Sequence, residues 1–147
     1  MTLEQVLEQW AIDSQLPKNN LDEISRQTPS LHAKYLTLLS NAKLKLKKAE
    51  MDQKKLLKLK WLWYNGKMSE EQVKELGWSF DPLEGLKIMK GEMDYYYDSD
   101  KEIQESELKI QYLKIMIDTL NEIVNNLNWR HQTIGNMIRW RVFEAGG

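Results

Sequence analysis

From residue 110 to residue 141 apolar residues recur every three and four positions, and this pattern constrains the chain more than any other. With Ile110 as position a of a heptad, the a series is Ile110, Ile117, Val124, His131 and Ile138. The d series is Leu113, Leu120, Leu127, Ile134 and Arg141, so eight of the ten seam positions are Ile, Leu or Val. A run of this length predicts a long helix with an apolar seam of the coiled-coil kind. Met116, Ile123 and Met137 at g widen the stripe beyond what a two-stranded zipper needs. Such a helix must bury its stripe against more than one neighbour or against its own chain. Read as an oligomerisation helix, it would use Ile110, Leu113, Ile117, Leu120, Val124, Leu127, Ile134 and Ile138. An intramolecular bundle helix fits the same periodicity equally well. His131 at an a position is the kind of polar residue that sets register or oligomer state.

The remainder also reads as helical. Thr2 with Gln5 forms a capping box, and Leu3, Val6, Leu7, Trp10 and Ala11 line one face of a short helix. Pro17, Asn19 and Asn20 break it. A long helix is expected from Thr28 as N-cap, with Pro29 at the first helical position, to the Asn65-Gly66 stop. Ser69 to Gln72 repeats the capping pattern, and Gly77 closes that short helix. Asp81-Pro82 is expected to open another helix, closed near Gly91. The stretch 92–100 is ambiguous, because three consecutive Tyr favour extended chain while their acidic flanks do not. Three Pro and seven Gly leave little room for a turn-rich all-β fold. The expected fold class is all-α: long helices, short connecting helices, a possible extended segment at 92–100, and an oligomeric helical assembly. The 147 residues fit a single domain. Its segments would be an N-terminal helical part (1–27), a basic helix (28–67), an acidic connecting region (68–107) and a C-terminal oligomerisation helix (108–143).

The net charge of −1 hides a segregation along the chain. Residues 43–67 hold nine Lys against Glu50 and Asp52, a net +7, and residues 68–107 hold four Lys against twelve acids, a net −8. Such asymmetry points to a nucleic acid, a membrane surface or a charged intersubunit contact. On a helix Lys43, Lys47, Lys54 and Lys58 share one stripe, with Lys48 and Lys55 beside it. From Lys43 to Lys60 is about 26 Å at 1.5 Å per residue, long enough to follow several phosphates. The run ends in Trp61, Trp63, Tyr64 and Lys67. Aromatic faces stack on unpaired bases but not on a closed duplex, so this combination points to single strands. The candidate DNA-binding residues are Lys43, Lys47, Lys54, Lys55, Lys58, Lys60, Trp61, Trp63, Tyr64 and Lys67. Two other readings stay open. The Lys helix can pair with the acidic segment of a neighbouring copy in a structural coiled-coil oligomer. It can also lie on an anionic membrane as a peripheral scaffold.

Little else suggests chemistry. The absence of Cys excludes a disulfide framework, a thiolate zinc site and a cysteine nucleophile, and suits a reducing cytoplasm. His32 and His131 have no partner at metal-ligand spacing, so no metal and no cofactor are expected. Asp94, Asp98, Asp100 and Glu102 lack the Gly and terminal Glu of a calcium loop. No nucleophile elbow or phosphate-binding loop occurs, so no catalytic residues and no enzymatic activity are expected. No apolar run approaches 18 residues, and the first ten residues do not read as a signal peptide.

Several strings carry a resemblance. They are KWLWYNGKMSEEQVKELGWSFDPL (60–83), LKIMK (86–90), YYDSDKEI (96–103) and NWRHQTIGNMIRWRVFEAGG (128–147). Tyr64-Asn65-Gly66-Lys67 after the basic helix, Gly77-Trp78, Ser99-Asp100 and Ile138-Arg139-Trp140-Arg141 before Phe143 are its marks. In this order, over residues 54–147, they resemble the UvsY family of T4-like phage recombination mediators. The resemblance implies a non-enzymatic factor of homologous recombination and recombination-dependent replication in the cytoplasm of an infected bacterial host. Its implied partners are single-stranded DNA, a RecA-like phage recombinase and the phage single-strand-binding protein, which it displaces. It also implies a closed ring, a hexamer or heptamer, assembled through the C-terminal helix, and no membrane. The family's Lys-x-Arg-type motif before the Tyr-x-Gly falls on Lys58-Leu59-Lys60, with Lys54 and Lys55 one turn earlier. Lys at 60 in place of Arg keeps the charge but not the planar fork.

Overall fold

The computed structural model describes residues 1–146. Among the described residues five α-helices follow one another, α1 (Leu3–Asp13), α2 (Leu21–Tyr64), α3 (Glu70–Leu76), α4 (Met93–Ser99) and α5 (Lys101–Glu144), with one 3-10 turn at Lys18–Asn20. Among the described residues there is no strand, so the fold is all-α. Helices α2 and α5 have 44 residues each, about 66 Å at 1.5 Å per residue. The chain packs as two compact units. The first comprises residues 1–44 and those from 113 onward, the second residues 45–112.

In the first unit the Thr2 hydroxyl accepts the Gln5 N–H at 3.2 Å, and the Gln5 side chain accepts the Thr2 N–H at 2.8 Å. This capping box starts α1 and sets Val6 into the core, while Leu7, expected on the same face, is exposed. Val6 packs with Tyr35, Leu39 and Ala42 of α2 and with Met116, Leu120, Ile123 and Leu127 of α5. The Trp10 ring meets Tyr35 edge-on at 5.6 Å, and the Tyr35 hydroxyl donates to Asp13 at 2.7 Å. Burial opposes ionisation of Asp13, but hydrogen bonds from Tyr35, Gln9 and Lys34 outweigh it and hold the carboxyl below its ordinary 3.8. Arg130 is buried, with one guanidinium nitrogen donating to the Gln15 carbonyl at 3.3 Å.

Helix α2 begins at Leu21 rather than at Thr28. Leu21 is buried, and Asp22 and Glu23 occupy the first turn, where the helix dipole favours negative charge. The Thr28 hydroxyl donates to the Ile24 carbonyl at 2.9 Å instead of capping, and Pro29 lies inside the helix. The other end is as expected: Gly66 takes φ +67°, and the Lys67 N–H reaches back to the Leu62 carbonyl at 2.9 Å.

Two connecting segments differ from expectation. Residues 81–91 form turns at 82–85 and 90–91 joined by irregular chain, not a helix. The Asp81 carbonyl accepts the Glu84 N–H at 3.1 Å and its carboxylate accepts the Gly85 N–H at 3.1 Å, local bonds that compete with a helix start. Residues 93–99, where extended chain was possible, are helical as α4. The Tyr97 hydroxyl donates to the Leu57 carbonyl at 3.2 Å and the Tyr96 ring lies 5.6 Å from that of Tyr64, so tertiary packing overrides the β preference of tyrosine.

The buried positions of α5 change register along the helix. Ile103, Ile110 and Leu113 fall on a and d, whereas Met116, Leu120, Ile123, Leu127, Arg130 and Ile134 alternate between g and d. A straight helix drifts by about 20° per heptad against a strict seven-residue repeat, so one flank of a broad stripe replaces the other.

Candidate nucleic-acid interface

The second unit shows α2 with two faces, both written in spacings of three and four. One runs Leu46, Ala49, Gln53, Leu56, Lys60 and Trp63, and none of these is exposed. The other runs Lys47, Met51, Lys54, Lys58 and Trp61 and is exposed throughout. Lys60 therefore sits in the core register, although in sequence it belongs to the basic run.

Lys60 departs from the expected basic surface: it is 3% exposed. Its ammonium lies 3.1 Å from Asp100 and 3.4 Å from Glu102. The same ammonium stands 4.0 Å from the Trp78 ring centre and 4.5 Å from that of Trp63. Three donors meet two carboxylates and two aromatic faces, which compensates the removal of the charge from water. The cluster closes on itself. The Tyr64 hydroxyl donates to Asp100 at 2.6 Å, the Trp78 indole N–H donates to Glu102 at 2.6 Å, and the Trp63 indole N–H donates to the Ser79 carbonyl at 2.7 Å. Asp100 also breaks the chain between α4 and α5 and accepts the Ile103 N–H at 3.0 Å as the cap of α5. Burial pushes its carboxyl up, but Tyr64, the Ile103 N–H and Lys60 together hold it below the ordinary 3.8. Burial, then the Asp100 carboxylate, raise the Tyr64 hydroxyl well above its usual value. Trp63 and Tyr64, expected to stack on DNA, are half-buried in this cluster.

The other candidates do face solvent. Lys43, Lys47, Lys48, Lys54, Lys55, Lys58 and Lys67 are exposed, and among the described residues none of them makes an ion pair. Trp61 is 40% exposed at the end of the stripe, with the Lys67 ammonium 4.6 Å from its ring centre. A row of ammonium groups ending in an open indole can neutralise phosphates and stack a base. Met51 was not singled out in the sequence, yet its spacing of four from Lys47 and three to Lys54 puts an exposed apolar side chain in the row. The acidic segment divides: Asp100 and Glu102 face Lys60, Glu107 accepts from Gln53 at 2.9 Å, and Glu70, Glu71, Glu84, Asp94, Asp98 and Glu105 are exposed.

The eight seam residues of α5 also separate. Ile110 is buried in the second unit, and Leu113, Leu120, Leu127 and Ile134 are buried in the first. Ile117 and Val124 are half-buried at the edge of that core. Ile138 is exposed, in the company of Trp129, Trp140, Val142 and Phe143, and the last two aromatic rings stack at 5.5 Å.

Comparison with solved structures finds this fold in the bacteriophage T4 recombination mediator protein UvsY. One of its crystal lattices gives a TM-score of 0.81 at 23% identity, covering 99% of this chain and 98% of that one. A second gives 0.79 at 21%, covering 95% and 98%, and a third gives 0.79 at 22%, covering 98% and 99%. No curated protein sequence matches. Residues 9–147 match the family described as recombination, repair and ssDNA binding protein UvsY. A match over nearly the whole chain, on a fold shared end to end with that mediator, makes this protein a member of the UvsY family.

Proposed function

We propose that this protein binds single-stranded DNA along the exposed lysine stripe of α2 and acts as a recombination mediator, with no catalytic role of its own. The single observation that carries the reading is the row Lys47, Lys54, Lys58 and Trp61, exposed and, among the described residues, without an ion pair, in a UvsY-family fold. Lys43, Lys48, Lys55 and Lys67 extend it. The mediator would load a RecA-like recombinase onto the strand in place of the single-strand-binding protein, in the cytoplasm of an infected bacterial host. One stripe holds few phosphates, so linked copies in a closed ring, a hexamer or heptamer, would raise affinity through effective concentration. Support for self-association at the end of α5 comes from exposed Trp129, Ile138, Trp140 and Phe143, a concentration of apolar surface that a solitary helix end does not need.

Titration with a labelled oligonucleotide over a range of salt tests the first claim. Each phosphate contact in a single strand contributes a slope of about −0.7 in log K against log salt, so Lys54→Ala with Lys58→Ala should flatten the slope by about 1.4. An unchanged slope refutes the stripe. Self-association is read from sedimentation mass. Ile138→Asp with Trp140→Asp should give a lighter species of unchanged helicity, and the parental mass would rule out that end of α5.

A further inference from the structure

At the C-terminal end of α2 a cavity of about 270 Å³ opens among Trp63, Tyr64, Asn65 and Gly66, Met68 and Val73 near α3, and Phe80, Asp81, Gly85, Leu86 and Lys87 of the following turns. We propose that it receives one unpaired nucleobase from the strand lying on the lysine stripe. The inference rests on the single-strand reading above and gives it a second kind of contact.

Three observations lead there. The first is continuity. Lys47, Met51, Lys54, Lys58, Trp61 and Asn65 follow at spacings of four, three, four, three and four, so the next residue of the exposed row after Trp61 lines the cavity. The Asn65 amide nitrogen donates to the Trp61 carbonyl at 2.7 Å, which ties the two positions together. A strand whose phosphates follow the ammonium groups would thus reach the end of α2, where half-buried Asn65 borders the cavity.

The second is the chemistry of the walls. Three aromatic residues, Trp63, Tyr64 and Phe80, contribute to them. The polar ends of Trp63 and Tyr64 are already used, the indole N–H by the Ser79 carbonyl and the phenol by Asp100, and their rings lie against each other at 4.8 Å and against Trp78 and Tyr96, so the open ring is that of Phe80. Base–aromatic stacking needs a ring face and no particular base. The Lys60 cluster fixes the Trp63 indole from behind, with its ammonium 4.5 Å from the ring centre, so this wall is in place before a base arrives. Pre-set walls lower the ordering cost of binding.

The third is size and rim. The volume lies just under the roughly 300 Å³ at which ligand pockets begin, the scale of one planar ring system and not of an extended ligand. Phe80, 61% exposed, and Leu86 stand at its edge as apolar side chains in water, and Lys87 beside them supplies a cation for the flanking phosphate. A base entering between these groups would cover surface that is otherwise exposed at a cost.

The test uses the full-length protein, two strands and one exposed position. The strands are a single-stranded oligonucleotide and its fully abasic counterpart of the same length, both titrated over a range of salt. Phe80→Ala should weaken binding of the normal strand about fivefold or more, from a stacking contribution of roughly 1–3 kcal/mol, and leave the salt slope as it is. On the abasic strand the same substitution should have no effect. A 2-aminopurine base in the strand should lose fluorescence on binding the parent and regain it with Phe80→Ala. Equal loss on both strands, or no loss on either, would overturn the pocket while a steep salt slope leaves the lysine stripe standing. Binding absent at every salt concentration would overturn the stripe and the pocket together. Because Phe80 is mostly exposed, helicity and melting temperature should match the parent, and Phe80→Trp should restore both affinity and quenching.

Discussion

In the first unit eight apolar or aromatic side chains, Val6 and Leu120 among them, form one core, and the polar exceptions are the Tyr35–Asp13 pair and buried Arg130. In the second unit the buried apolar set is sparse, Ala49, Met68, Val73, Ile103 and Ile110, and a buried cation stands among them, paired with a buried carboxylate. Lys60 gathers α2, the segment after α3 and the start of α5 through Asp100, Glu102, Trp63 and Trp78. An apolar core tolerates relaxation and loses stability in proportion to the surface removed. A charged core is all or nothing, because each remaining partner becomes an uncompensated buried charge. The two units should therefore fail differently.

The largest effect is expected at Lys60. Lys60→Ala strands Asp100 in a buried site and should cost about 3–5 kcal/mol in urea unfolding. Native-state hydrogen exchange should show protection lost first within residues 45–112. A loss below about 1 kcal/mol would mean that the ammonium is dispensable. Set against Lys58→Ala, two residues away and exposed, the contrast separates a positioning residue from a phosphate contact. Lys58→Ala should change the salt slope of DNA binding and leave stability untouched, and Lys60→Ala should do the reverse.

Leu120 is the matching position in the apolar unit, nearly inaccessible to solvent. Leu120→Ala should cost about 2–5 kcal/mol, and Leu120→Met much less, since volume is conserved. If the two substitutions cost the same, the packing account of this core is wrong.

Acid should give the smallest and most gradual response. Asp13 and Asp100 both have carboxyls held below 3.8, so just below that pH the unfolded chain binds more protons than the folded one. Their stabilisation is complete above the unfolded value and is lost as pH falls through the lower folded values. Melting temperature should accordingly decline below about pH 4. Asp13→Asn should flatten the decline in part, and a profile unchanged by it would remove that carboxyl from the account.

The site was legible in part because half of it is local. Lys47, Lys54, Lys58 and Trp61 share a stripe by spacing alone, and the structure keeps them there. Lys60 carries a signal as well, since it continues the register of Leu39, Ala42, Ala49 and Leu56 and not that of Lys54 and Lys58. What the register does not convey is the set of partners. Asp100 and Glu102 lie 40 and 42 positions away, and Trp78 lies 18 away, beyond α3. The cavity is less remote, its walls beyond α2 coming from residues between Met68 and Lys87, yet they meet only because the chain turns back after Gly66 and Gly77.

By itself the sequence determined α1, α3 and the bodies of α2 and α5, the glycine-closed ends at Gly66 and Gly77, the lysine stripe and the seven-residue repeat of α5. All of these rest on contacts within about one helical turn, which neighbouring residues specify. Only the tertiary structure decided which flank of the α5 stripe is buried, that Thr28-Pro29 lies inside α2, and that one lysine of nine in the basic segment turns inward. Burial is fixed by what packs from elsewhere in the chain. A charge enters the core only where distant carboxylates and aromatic rings are already assembled to receive it.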